Sequence, residues 1–248
     1  MKVAYGIQMY SLRDTAKASL KEALRIVASQ GYRYVEFAGF FGHPAEDVAA
    51  WLKEYGLEVS GTHTQAVELL PEKIEETIAY HKTIGNKNII IPGFKIAEQA
   101  DLDRLVDIIN TAKPILAENG ISLGYHNHSH EFQKTAFGKY IEEELYNRTS
   151  VAFEIDTFWA FNAGVDPVDL LERMKDRLAP VIHLKDGFKA VNGEKASGKS
   201  VGSGEAPVLA VRQKALELGL LMVIESEGQD PTGEEEVGRC ISFLASLE

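Results

Sequence analysis

Four apolar runs in the second half of the chain each end in residues that bind cations or move protons: Tyr125-His126-Asn127-His128, Glu154-Ile155-Asp156, His183-Leu184-Lys185-Asp186 and Glu225-Ser226-Glu227. On extended backbone, side chains two residues apart share a side, so His183 pairs with Lys185 and His126 with His128. Alone, a histidine such as His183 reads as a core residue bonded to a carbonyl. Buried carboxylates, however, are costly unless paired or bound to a cation. Asp156, His183 and Glu225 on neighbouring strand ends therefore read as ligands of one divalent metal ion. Imidazole plus carboxylate oxygen suits Mn, Zn, Co or Fe, and the oxygen share admits Mg.

The elements that would bring these ends together alternate along the whole chain. Short β-branched or aromatic runs are expected as strands at Val3 to Tyr10, Tyr34 to Phe37, Glu58 to Thr62, Asn88 to Ile91, Ile121 to His126, Val151 to Asp156, Val181 to Leu184 and Leu221 to Glu225. Between them, apolar residues spaced by three and four (Leu20, Leu24, Val27 and Ala28; Val48, Trp51 and Leu52; Ile74 and Ile78) mark amphipathic helices. Gly31, Gly56, Gly85, Gly120 and Gly219 stand where helices should stop, each shortly before a strand. Eight βα units of about 31 residues match a (β/α)8 TIM barrel, an α/β fold whose strands deliver their carboxyl ends to one rim. With no linker or break in composition, the expectation is a single domain over residues 1–248. An open doubly wound sheet would carry a glycine-rich turn after its first strand, where this chain has Gln8-Met9-Tyr10-Ser11-Leu12-Arg13-Asp14. The connection from Asp186 to Ala206 is long, polar and glycine-rich, as suits a loop over the active rim or against another subunit of a homo-oligomer.

Composition excludes several partners. A formal charge of −11 disfavours nucleic acid, whose binding draws on Lys and Arg. No apolar stretch approaches the roughly 18 residues of a membrane helix, so no membrane partner is expected. The single Cys240 cannot form an intrachain disulfide, and the first residues enter a strand-like run without a leader, which points to a cytoplasmic protein. Gly193-Glu194-Lys195-Ala196-Ser197-Gly198-Lys199-Ser200 satisfies the P-loop pattern, but Val201-Gly202-Ser203-Gly204-Glu205-Ala206-Pro207 cannot continue as the helix such a loop requires. Cys240 reads as a packing residue, and His43, His81 and His130 as surface or loop residues.

The order Gln8-Met9-Tyr10-Ser11, His63, Tyr125-His126-Asn127-His128, Asp156-Thr157-Phe158-Trp159 with Gly164, His183-Leu184-Lys185-Asp186, Gly202-Ser203-Gly204-Glu205 and Ile224-Glu225 resembles the xylose isomerase-like TIM barrels, and within them the sugar phosphate isomerase/epimerase group. The resemblance covers essentially the whole chain and rests on order and spacing together. It implies one divalent metal held from the last four strands by Glu, Asp, His and Glu, the two glutamates also moving protons. Asp156, His183 and Glu225 match three positions, and His126 stands where the family has its first glutamate. The metal set is then His126, Asp156, His183 and Glu225.

That departure disturbs the symmetric two-glutamate mechanism and calls for another proton carrier beside Glu225. Histidine titrates near neutrality, whereas a lysine base needs a lowered pKa, so His63, Lys185 and Glu36 follow in that order. Substrate contacts are expected from Gln8, Tyr10, Glu36, His128 and Trp159, and Glu154 is expected to support a ligand. The implied activity is a metal-dependent sugar or keto-sugar isomerase or epimerase. It would abstract a proton beside a carbonyl to give an enediolate that the metal stabilises. The runner-up is a lyase or dehydratase acting on a 3-keto-glycoside or inosose-type substrate; a non-catalytic sugar-binding subunit is the non-enzyme alternative.

Overall fold

The computed structural model describes residues 3–191 and 195–248. Its strands in chain order are β1 (Gly6–Gln8), β2 (Tyr34–Phe37), β3 (Glu58–His63), β4 (Asn88–Ile91), β5 (Ser122–His126), β6 (Ala152–Glu154), β7 (Val181–Leu184), β8 (Asp186–Phe188), β9 (Ser197–Lys199) and β10 (Leu221–Ile224). Eight of them form one sheet in the order β6-β5-β4-β3-β2-β1-β10-β7, every pair parallel. Between the two end strands, Ala179 N donates to Phe153 O at 2.8 Å and His183 N to Ile155 O at 3.0 Å, which nearly closes the barrel. The fold is the expected α/β TIM barrel, and its eight strands fall within the eight expected runs or one residue beyond.

Helices surround the wall because their spacing gives each an apolar stripe. In Leu20–Gln30 the fully buried residues are Leu20, Ala23, Leu24 and Val27, and in Ala45–Tyr55 Val48 and Leu52 face inward. Each leucine or valine among them contributes about 1.5–3 kcal/mol when fully buried. Gly31, Gly56 and Gly219 end their helices in the left-handed conformation, with φ of 100°, 67° and 68°.

Alternation along the strands sorts the barrel interior into layers. Ile90, Ala179, Val181 and Val223 form a small apolar cluster apart from the main core. Two residues beyond Val181 and Val223 come His183 and Glu225, and two beyond Ala152 comes Glu154, so an apolar floor gives way to a polar layer near the strand ends.

Three expectations need correction. The first strand stops at Gln8, whose side-chain Oε1 accepts from Tyr10 N at 3.0 Å and turns Met9–Leu12 into a short 3-10 helix. The connection after β7 is not a plain loop, because β8 and β9 pair antiparallel within it. His81 is not at the surface: it is 3% exposed, inside the helix Ile74–Thr83. Its ring bonds Thr62 Oγ1 at 2.8 Å and Thr77 O at 2.8 Å. In the P-loop-like segment, Gly193 and Glu194 lie outside the described residues, while Ser197–Lys199 is β9, a strand rather than the start of a helix. Among the described residues no helix is long and apolar enough to cross a membrane.

Candidate active site

The polar layer is built from long-range contacts across the barrel. Glu36 on β2 is fully buried; its Oε1 accepts from Gln8 Nε2 at 2.6 Å and His183 Nε2 at 2.8 Å and lies 3.0 Å from His63 Nε2. Room for this carboxylate comes from Gly61 on the paired strand, where a Cβ would stand 3.1 Å from Glu36 Oε2. A register shift between Val35 and Glu36 accompanies the approach. Glu154 on β6 is the second buried carboxylate, and its Oε2 accepts from His63 Nε2 at 2.9 Å and His126 Nδ1 at 3.0 Å.

These bonds decide which atoms remain for chemistry. His183 spends Nε2 on Glu36, and His126 spends Nδ1 on Glu154, so the opposite ring nitrogens are left over. Asp156 uses Oδ1 as a helix cap, accepting from Trp159 N at 2.8 Å. Asn127 clamps its backbone through Oδ1 to Asp156 N at 3.0 Å and Nδ2 to Asp156 O at 3.2 Å. Asp156 Oδ2 and His183 Nδ1 are buried without a hydrogen-bond partner. One donor atom from each of His126, Asp156, His183 and Glu225 falls within 4.8 Å of the others. Orphaned atoms of this kind are costly in an apolar interior and fit a cation in their midst. A second grouping, His63, His126, Glu154 and His183, shares two members; there Glu154 Oε2 accepts from His126 and lies 2.9 Å from His63 Nε2, while its Oε1 is buried without a partner.

The electrostatics follow from burial and charge pairing. Burial, with His183 and His63 nearby, pushes His126 well below the usual imidazole range, the neutral form a ligand needs. Glu154 is pushed up to about 8 by burial and by the charge of Glu36. Burial opposes the charged form of His63, but Glu36 and Glu154 outweigh it and raise its pKa to about 9. Lys185 is fully buried, its Nζ 3.0 Å from Glu225 Oε2, 3.0 Å from Glu227 Oε2 and 4.7 Å from the centre of the Trp159 ring. Although burial would lower its pKa, Glu225, Asp156 and Glu227 raise it above the ordinary value. The lowered pKa that a lysine base requires is therefore not what this environment produces.

Above the donor atoms lies a cavity of about 310 Å³, bordered by Tyr10, His63, His126, His128, Glu225 and Glu227. Of the side chains expected to touch substrate, Tyr10 and His128 reach it. Gln8 and Glu36 do not border it and are bonded to each other, Glu36 Oε1 also to His183, and Trp159 packs against Lys185 instead of bordering this cavity. Sequence reasoning missed Asn127 and Glu227 although both sit inside the knots it singled out. It also gave no role to Asp186, whose carboxylate accepts from the backbone N–H groups of Gly187, Gly202, Gly204 and Ala206 and so pins the segment after β9.

Comparison with known proteins bears on this arrangement. A structure of a sugar phosphate isomerase/epimerase from Parabacteroides distasonis superposes with a TM-score of 0.80 at 26% identity, covering 99% of this chain and 94% of that one. A xylose isomerase domain protein from Alicyclobacillus acidocaldarius shares the fold, with a TM-score of 0.77 at 16% identity over 99% of each chain. Among curated proteins, the inosose dehydratase of Geobacillus kaustophilus is 27% identical over 189 residues, 66% of this chain. The chain spans 61% of that relative's length. The family model of the xylose isomerase-like TIM barrels matches residues 24–247, and the chain belongs to that family.

Proposed function

We propose that the protein is a divalent-metal-dependent isomerase or epimerase of a sugar or keto sugar, working by proton abstraction beside a carbonyl. The observation that carries this reading is the convergence of His126, Asp156, His183 and Glu225, with two buried donor atoms left without partners. These four residues would hold the metal, which when bound supplies a Lewis acid for the substrate carbonyl and its neighbouring hydroxyl. Glu225 borders the cavity and is kept as a carboxylate by Lys185, so it is the group in proton-accepting form. Lys185, paired with the Glu225 carboxylate, and His63, beside the Glu36 carboxylate, stand in proton-donating form. Glu36 and Glu154 orient the imidazoles from below.

A lyase or dehydratase on a 3-keto-glycoside or inosose-type substrate is the second reading. It is favoured by His126 standing where a second glutamate would serve the opposite face, and by the similarity to an inosose dehydratase. Elimination needs one base and an acid at the leaving group rather than two interchangeable carboxylates.

Incubating the metal-loaded protein with a panel of keto sugars in deuterated water separates these outcomes by NMR. An isomerase or epimerase leaves carbon-bound deuterium in a rearranged sugar, and a lyase leaves an unsaturated product. Neither, across the panel, would overturn both readings.

A further inference from the structure

Beside the first cavity lies a second, of about 370 Å³, and the two share His63 and Gln65 as a common border. Its character differs. Phe40 and Tyr80 line it with their rings in a tilted contact, 4.3 Å between centroids and 34° between planes, and Phe40 also packs on Phe37 at 5.1 Å. Tyr80 is fixed by donating its hydroxyl to His43 O at 2.8 Å. Polar residues line the remainder, including Glu68, Lys73 and Glu76.

Charge narrows the occupant. Lys73 is the sole Lys or Arg among the described side chains lining either cavity, and its Nζ is bound to Glu68 Oε1 at 2.8 Å, while His63, the imidazole both cavities share, has its Nε2 on Glu154 Oε2 at 2.9 Å. Glu75 and Glu76 add negative charge to the first turn of the adjacent helix. Phosphate recognition relies on Arg, Lys or an unblocked helix N-terminus, and neither cavity offers one free. Aromatic faces instead hold flat, uncharged rings.

We propose that the substrate is an unphosphorylated sugar whose reacting ring carries an uncharged cyclic substituent, and that this substituent sits between His63 and the Phe40–Tyr80 pair. The inference rests on the reading that the first cavity takes the sugar, and it adds the class of what the sugar carries.

Calorimetric titration of the Mn²⁺-loaded protein with matched methyl and phenyl glycosides of several hexoses tests it without any turnover. The phenyl member of at least one pair binds about tenfold more tightly than its methyl partner, the gain expected of aromatic contact plus burial. Phe40→Ala and Tyr80→Ala each remove most of that increment while methyl glycoside affinity stays, and melting curves verify folding. The 6-phosphates of the same hexoses bind no better than the free sugars. Equal affinity within every pair, absence of binding by all of them, or a phosphate ester that binds more tightly than its parent overturns the proposal. An increment that persists while the deuterium experiment fails would leave this subsite standing and remove only the proposed reaction.

Discussion

Nε2 of His183 lies 2.8 Å from Oε1 of Glu36, a residue 147 positions earlier in the chain. That bond selects which ring nitrogen faces Asp156 and Glu225. Outer carboxylates of this kind fix the ring orientation of a ligating histidine and raise its basicity, and their loss typically costs about 10–100-fold in metal affinity. Glu36→Gln should weaken Mn²⁺ binding by about that factor in a chelator competition, with the protein still folded. Unaltered affinity would show that Glu36 does not position His183.

Lys185 neutralises a cluster of carboxylates with no exposure of its own. In metal-free protein, Lys185→Met leaves Glu225, Glu227 and Asp156 facing one another, and breaking a buried pair costs about 3–5 kcal/mol. Urea unfolding should show that loss, and added Mn²⁺ should recover more stability in the variant than in the parent. A midpoint equal to that of the parent would contradict the pairing.

Asp186 and Gly204 fit together without slack: a Cβ on Gly204 would overlap Asp186 Oδ1 and the Gly187 backbone, far inside van der Waals contact distance. Gly204→Ala is expected to cost about 1–3 kcal/mol by overpacking. Hydrogen exchange at Gly202, Gly204 and Ala206 should accelerate, and more so in Asp186→Ala, which removes their acceptor. Exchange unchanged in both variants would remove Asp186 as the anchor.

His81, which belongs to none of the donor groupings, gives a pH dependence of its own. Burial pushes its pKa from 6.5 down to about 4, so the folded state holds it neutral where the unfolded state is already charged. The unfolded chain then binds more protons between those values, and stability rises with pH there. The stability is complete above about 6.5 and lost as pH falls toward about 4, by up to about 3 kcal/mol. Denaturant titrations over this interval should fall more steeply for the parent than for His81→Gln; parallel curves would refute the assignment.

The strands were legible because each apolar run is short and five of the eight follow a glycine that closes the preceding helix, as Ile89 to Ile91 follows Gly85. Period two also carried the donor residues to one side, since strand ends in a parallel barrel share a rim. What could not be read is which inward side chains meet across the barrel. Nothing local distinguishes Glu36, which serves His183, from a carboxylate that touches substrate. His81 was misjudged for a related reason: its partner Thr62 is on a strand, and a buried histidine on a helix shows only as a polar interruption of the apolar stripe. The turn at Met9–Leu12 depended on a side-chain cap from Gln8 that propensity does not register.

The central claim is that side chains from four successive barrel positions, His126, Asp156, His183 and Glu225, hold one divalent cation. Elemental analysis of purified parent, His183→Ala and Glu225→Ala proteins after Mn²⁺ loading and desalting tests it most directly. The account predicts one equivalent in the parent and a large loss in each variant; stoichiometric metal retained in both would contradict it.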